Sequence, residues 1–148
     1  MLAPTPEQYR RLNEMAQAWK RRHGAALEAT PGRNSQLDVD ALCFQVFPDA
    51  GVTSTASDYL VGALVSPVSL SLVLFPLFAS AASPVEGERR AFALPSGRYP
   101  FVAETLDDGI WLWRCELLDD LSDLETREEG SRLAQRLMDR VMQPDDAS

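Results

Sequence analysis

The residues best suited to metal or nucleophilic chemistry are few and far apart in this sequence. His23 is the only histidine, Lys20 is the only lysine, and the two cysteines, Cys43 and Cys115, form no CxxC pair. A structural zinc site needs four ligands at fixed spacing, and a serine nucleophile needs a histidine or lysine base beside it. No GxSxG elbow and no glycine-rich phosphate loop occurs. We therefore predict no catalytic residue, no metal site and no cofactor.

Carboxylates are the remaining candidates for chemistry. Pairs of them occur at Asp38 with Asp40, Asp107 with Asp108, and Asp119 with Asp120. Asp38 and Asp40 would share one face of a strand, a spacing that suits cation binding or acid–base work. Acidic pairs in turns and at strand edges are more often solvated, so this sequence favours a surface role and leaves a functional one open.

Composition limits the classes of function. The chain has 148 residues, 45% of them hydrophobic and 24% charged, with a net charge of −8. An acidic balance argues against nucleic acid, whose phosphates need a surplus of Lys and Arg. The length predicts one domain, 1–148, with frayed ends at 1–4 and 143–148. The first residues have no apolar signal-peptide core and the thiols are unpaired, which predicts a cytoplasmic protein.

Capping boxes predict a helix near each end of the chain. Thr5 and Gln8 form the first box and Thr126 and Glu129 the second. The apolar stripe of the first helix comprises Tyr9, Leu12, Met15, Ala16, Trp19, His23, Ala26 and Leu27. That of the second comprises Leu133, Leu137 and Val141, and Gly130 is expected to weaken its first turn.

The longest uncharged stretch, Tyr59–Val85, raises the question of a membrane span. Pro67 and Pro76 divide it into pieces of strand length, too short for a spanning helix of about 20 apolar residues. We predict two strands joined near Pro67 and covered on both faces by the two helices. Residues 77–85 are predicted to form either a loose connector or an apolar patch that contacts a partner.

The rest of the sheet is predicted from alternation and turns. Residues 37–47 are predicted to form a strand in which the alternation of apolar residues changes near Ala41 and Leu42, which indicates either a bulge or burial of both faces over the second half. A meander of three antiparallel strands follows, with a three-residue hairpin loop at Pro95–Gly97 and a two-residue loop at Asp108–Gly109. The predicted fold class is therefore α+β, with a mostly antiparallel sheet flanked by amino- and carboxy-terminal helices.

Four residues of this meander are candidates for partner binding. The turn explains Pro95, Ser96 and Gly97, but it leaves Arg98 and Tyr99 without a role. Trp111 and Trp113 share one strand face and would suit an interaction hot spot if exposed. Packing in the core is the alternative for both, with the following helix covering them.

Three segments together resemble a known family. They are "GALVSPVSLSLVLFPL", "FALPSGRYPFVAE" and "GIWLWRCELLDDLSDLETREEGSRLAQRLM". Their order and spacing are similar, over roughly positions 37–142, to the HybE-type NiFe-hydrogenase assembly chaperones. The resemblance includes the Ser66–Pro67 step, which makes Pro67 a further candidate. The family usually has Trp and Asn where this chain has Val68 and Ser71.

The resemblance implies a non-catalytic accessory protein of hydrogenase maturation. Such proteins bind small- or large-subunit precursors, including the small subunit with its twin-arginine signal, before cofactor completion and export. From the charge we add that Asp107, Asp108, Asp119 and Asp120 would attract an Arg-Arg signal. A small-molecule-binding or catalytic domain, using a sheet-edge pocket beside Asp38 and Asp40, and an adaptor for another partner are the alternatives.

Overall fold

The computed structural model describes residues 4–46, 59–76, 83–106 and 109–143. Two helices and six strands follow one another in this order: α1 Pro6–Ala29, β1 Asp40–Val46, β2 Tyr59–Val65, β3 Leu70–Pro76, β4 Arg89–Leu94, β5 Gly97–Thr105, β6 Trp111–Leu118 and α2 Arg127–Val141. The strands form one sheet in the order β1-β2-β3-β6-β5-β4, and every neighbouring pair is antiparallel. The predicted α+β class is confirmed.

Residues 59–76 of the uncharged stretch form two paired inner strands, β2 and β3, joined near Pro67 as predicted. Every residue of β2 and β3 is buried, because α1 packs on one face and α2 on the other. The Ser66 hydroxyl accepts the backbone N–H groups of Val68 and Ser69, which closes the tight turn around Pro67. Within the described residues, neither helix combines the length and apolar content of a membrane-spanning helix. Residues 77–82 lie outside the description, and 83–85 form no helix or strand.

The first helix begins at its predicted capping box, with Thr5 and Gln8 exchanging both bonds. Its buried stripe is narrower than predicted. Tyr9 is 53% exposed and Ala26 is also exposed, whereas Leu12, Met15 and Trp19 are buried. Leu27, near the end of the helix, is also buried, so the stripe reaches the last turn of α1.

The bulge of the first strand lies after Leu42, about two residues later than the change in apolar alternation predicted. The pairing of β1 with β2 shifts between Leu42 and Gln45, and Cys43 adopts a positive φ of 60° there. The bulge turns Phe44 inward over Gly62, where a Cβ atom would overlap the Phe44 ring. The strand begins at Asp40, not at residue 37, and Phe47 falls outside the described residues.

The meander is confirmed, although both of its turns differ from the prediction. Leu94 pairs directly with Gly97, so the first loop has two residues, Pro95 and Ser96, where three were predicted. In the second, the Leu106 N–H donates to the Ile110 carbonyl at 2.6 Å, which leaves three positions between them instead of two. Gly109 in that loop has a φ of 74°, a left-handed value that favours glycine.

The second helix begins at the predicted capping box, and its buried stripe agrees with the prediction at Val141 but not at Leu133 and Leu137. Gly130, Ala134, Met138 and Val141 are the buried residues, while the predicted Leu133 and Leu137 are only partly buried. A Cβ at Gly130 would lie 3.0 Å from the Leu37 side chain. Small residues on this line let the helix approach the sheet closely, so Gly130 serves packing rather than only weakening the first turn.

Candidate partner-binding site

The predicted site residues do not converge on one surface. Pro67 is partly buried in the β2–β3 turn, and its carbonyl accepts the Asn34 N–H at 2.8 Å. The Asn34 side chain in turn donates to the carbonyls of Leu121 and Leu124, 2.8 and 2.7 Å away. Pro67 therefore lies at a junction that fixes the connection between β6 and α2.

Trp111 and Trp113 are core residues. Their exposed fractions are 5% and 1%, and Trp113 packs edge-on against Phe92 at 5.3 Å between ring centroids. The Arg90 guanidinium lies over the Trp113 ring at 5.0 Å. An interaction hot spot would need exposed side chains, whereas both tryptophans pack in the core beneath α2, which was the alternative. Neither residue can form part of a partner-binding surface in this structure.

Arg98 and Tyr99 are adjacent in sequence but serve opposite faces of β5. The Tyr99 and Ser96 hydroxyls are hydrogen-bonded at 2.6 Å, and the half-buried ring packs toward the α2 side. Tyr99 thus acts within its own hairpin. Arg98 points the other way, is exposed, and has no hydrogen-bond or ion-pair partner in the described part of the chain. Among the predicted partner-binding residues of the meander that the structure describes, Arg98 alone is exposed and free to contact a partner.

Asp107 and Asp108 lie outside the described residues. Asp119 and Asp120 follow the end of β6 and are exposed. The second pair belongs to a longer acidic segment, residues 119–129, which we call the acidic connection.

Most carboxylates of the acidic connection are exposed and lack an ion-pair partner among the described residues. They are Asp119, Asp123, Glu125 and Glu128. Asp120 is partly engaged, because hydrogen bonds from the Ser122 hydroxyl and, at 2.9 Å, from the Ser122 N–H lower its pKa. The segment is held in place by Asn34 and by the α2 capping box, so these charges are displayed on a fixed loop.

Asp38 and Asp40 line a groove of about 460 Å³ between α1 and the edge strand β1. They do not form a joined acid–base pair. Asp38 binds Lys20 of α1 at 2.8 Å, which lowers its pKa, and Asp40 binds Arg127 of α2 at 2.8 Å. In the described chain, no three His, Cys, Asp or Glu side chains come together to hold a metal ion. The pair ties both helices to the edge strand.

An ionic cluster that was not predicted from the sequence lies beneath the second half of α1. Glu104 accepts the Trp19 indole N–H at 3.0 Å, contacts His23 Nε2 at 3.2 Å and binds the Arg114 guanidinium. Arg114 also donates to the buried Ser71 hydroxyl at 2.9 Å and lies over the Trp19 ring. His23 thus has the structural role that its position on the helix stripe favoured.

Among the comparisons with known proteins, one identifies a family and one shows a similar fold. Residues 10–148 match the sequence model described as NiFe-hydrogenase assembly, chaperone, HybE. The solution structure of HybE from Escherichia coli has a similar fold, with a TM-score of 0.62 and 21% identity over 88% of this chain and 76% of that one. No curated protein sequence matches. The family match spans nearly the whole chain, and the chain therefore belongs to the HybE family of NiFe-hydrogenase assembly chaperones.

Proposed function

We propose that this protein is a non-catalytic cytoplasmic chaperone that binds hydrogenase subunit precursors before their cofactors are complete and before export. The match to the assembly-chaperone family over residues 10–148 carries the proposal. The arrangement of the titratable groups supports it. The described carboxylates are solvated, serve as helix caps, or pair with arginine, lysine or histidine side chains from other elements.

The acidic connection supports binding of a precursor whose signal contains consecutive arginines. Its exposed carboxylates are free of ion pairs within the described chain, and they lie on a loop whose position is fixed from both ends. Charge-assisted bonds between arginine and carboxylate are strong and directional, and a concentrated acidic surface also speeds association. The small-subunit precursor with its twin-arginine signal is therefore the partner proposed for this surface.

Affinity capture with purified precursors tests the proposal. The tagged chain is mixed with the small-subunit precursor carrying its native signal, the same precursor with both signal arginines changed to glutamine, and the large-subunit precursor. Capture of the native small-subunit precursor, weakened by the arginine change and by added salt, is the expected result. Failure to capture either precursor would contradict the proposed function.

Charge reversal locates the surface. Changing Asp119 and Asp123 to lysine should weaken capture by about tenfold or more, since one lost charge-assisted contact costs about 1.5–3 kcal/mol. Glu28→Lys with Asp139→Lys alters the net charge equally at exposed sites elsewhere and serves as the matched control. Equal losses in the two variants would mean that net charge, and not the acidic connection, matters.

Asp107 and Asp108, which lie outside the described residues, are tested separately. Asp107→Lys with Asp108→Lys asks whether this predicted acidic pair contributes to capture. A loss comparable to that of the Asp119 and Asp123 variant would show that it does. No loss would mean that the precursor does not depend on Asp107 and Asp108.

A further inference from the structure

One face of the β4–β5 hairpin is left uncovered by either helix. Its exposed residues are Arg89, Ala91 and Ala93 of β4 and Arg98, Pro100 and Val102 of β5. Their neighbours in sequence, such as Phe92 and Phe101, point to the other face and pack in the core beneath α2. On the uncovered side, α1 contacts the hairpin at the end away from its turn, where Trp19 bonds to Glu104 and Arg22 bonds to the Thr105 carbonyl and to Glu86. We call these six residues the open hairpin face.

The open hairpin face consists of an apolar floor with an arginine at each end. Across the hairpin, Arg89 pairs with Val102, Ala91 with Pro100, and Ala93 with Arg98. The two arginines are therefore four residue steps apart along the strands, about 13 Å at 3.3 Å per residue. Neither has a hydrogen-bond or ion-pair partner among the residues that the structure describes. The open hairpin face is therefore locally positive, although the chain as a whole has a net charge of −8.

The hairpin also ends the sheet. β4 pairs only with β5 in the described structure, so the other edge of its backbone is open to a further strand. Exposed edges often carry charged residues that prevent such pairing, and this would account for Arg89. It does not account for Arg98, which lies on β5, the inner strand of the hairpin, opposite Ala93 of β4. Arg98 does not block the edge of β4. Because Ala93 is small, the Arg98 side chain can extend over it to a ligand that lies along that edge.

We propose that the open hairpin face and the free edge of β4 bind an extended acidic segment of a partner, with carboxylates at positions i and i+4 and a small or apolar residue at i+2. That this partner is a hydrogenase subunit precursor rests on the function proposed above. Residues i, i+2 and i+4 of a strand lie on one face and span the distance between the two arginines. Carboxylate i meets Arg89, residue i+2 covers Ala91, and carboxylate i+4 meets Arg98 across Ala93.

Strand addition and charge pairing have separate roles in this arrangement. Backbone hydrogen bonds along β4 supply affinity without regard to sequence, while the two arginines select the spacing of the carboxylates. Arginine suits this role because its planar guanidinium binds a carboxylate through two parallel bonds. The surface is also distinct from the acidic connection, so a precursor could use both at once.

The first experiment uses a synthetic peptide and the isotope-labelled full chain. The blocked peptide carries glutamate at i and i+4 with valine between them, and the control peptide has the same composition with glutamate at i and i+3, which places the carboxylates on opposite faces. Backbone amide shifts confined to β4 and β5, with tighter binding of the first peptide, are expected. Equal binding of both peptides, or shifts elsewhere only, would overturn the proposal.

Variants then test the two arginines. Arg89→Glu with Arg98→Glu should weaken binding of the i, i+4 peptide by about tenfold or more, as expected for two lost charge-assisted contacts. Arg132→Glu with Arg136→Glu changes two exposed arginines of α2 and should leave binding unchanged. Equal effects in both variants would mean that peptide binding depends only on the net charge of the chain, and this would overturn the proposal.

Capture of the precursors separates this inference from the proposed function. If the wild-type chain captures a precursor and the Arg89, Arg98 variant captures it equally well, the precursor does not use the open hairpin face and the inference is wrong. If the wild-type chain captures no precursor while the peptide binds at β4 as expected, the proposed function fails and the acidic ligand chemistry of this face stands.

Discussion

Replacing Glu104 by glutamine tests whether one partly buried carboxylate holds α1 on the sheet. The Glu104 side chain is 15% exposed and that of its partner Arg114 is 19% exposed, so both are largely removed from water. Glutamine has nearly the same shape and can still accept the Trp19 N–H, but it has no charge to offer Arg114 or His23. The substitution therefore removes the electrostatic part of the cluster and little of its packing.

The expected loss follows from the carboxyl pKa. Burial alone would raise the pKa of Glu104, but the hydrogen bond with His23 and the Arg114 charge outweigh it and lower the pKa from 4.5 to about 2. That difference corresponds to about 3 kcal/mol of stability from the ionised form. Because Arg114 keeps a second contact, 3.4 Å from Glu116, we expect Glu104→Gln to lower the free energy of unfolding by about 2–3 kcal/mol at pH 7.

The pH dependence identifies charge as the cause. A carboxyl group whose pKa is lowered on folding stabilises fully above its unfolded pKa, near 4.5, and loses that contribution as the pH falls toward 2. The difference between wild type and Glu104→Gln should thus be constant from pH 7 to about 5 and shrink below that. Urea unfolding, followed by tryptophan fluorescence at several pH values, measures it.

Glu116→Gln is the matched control. Glu116 contacts the same guanidinium but is 45% exposed, so its loss should cost no more than about 0.5 kcal/mol. A loss below about 1 kcal/mol for Glu104→Gln at pH 7 would refute the reasoning. So would a difference that persists unchanged down to pH 2, since this would indicate lost packing instead of lost charge.

Two further predictions concern packing and buried polar groups. Gly62→Ala should lower the free energy of unfolding by about 1–3 kcal/mol because the new methyl group overlaps the Phe44 ring. Gly24→Ala, in open space on α1, should instead raise it by about 0.5–1 kcal/mol, and urea unfolding of both variants checks the contrast. Asn34→Ala should cost about 2–3 kcal/mol, since it removes two buried side-chain bonds to backbone carbonyls; the exposed Gln36→Ala should change little in the same assay, and equal effects would contradict the assignment.

Local signals predicted the elements well because their causes are local. The capping boxes at Thr5 and Thr126 mark both helix starts correctly, since each needs only residues three positions apart. The two prolines in the uncharged stretch likewise predict strands in place of a spanning helix. In α2, Val141 was predicted correctly, but Leu133 was predicted in place of its buried neighbour Ala134, because hydrophobicity favours leucine whereas close approach to the sheet favours the smaller side chain.

Contacts between distant residues could not be predicted in the same way. Nothing near Glu104 in sequence indicates His23, 81 positions away, or the order of strands that brings Arg114 beside Ser71. The hairpin motif drew attention to Arg98 and Tyr99 together, whereas in the structure Tyr99 bonds within its own hairpin and Arg98 faces solvent. Alternation along the strand could have separated the two from sequence alone.

The departures from the family pattern at Val68 and Ser71 concern the interior more than the partner. Ser71 is 1% exposed and accepts a hydrogen bond from Arg114, so its side chain belongs to the cluster that holds α1. Val68 packs against the hydrophobic cluster on the same side of the sheet. A partner could reach Ser71 only by displacing the helix above it. Differences in affinity or partner preference are therefore better sought on the acidic connection and the open hairpin face, where side chains are exposed and charges lack partners within the described chain.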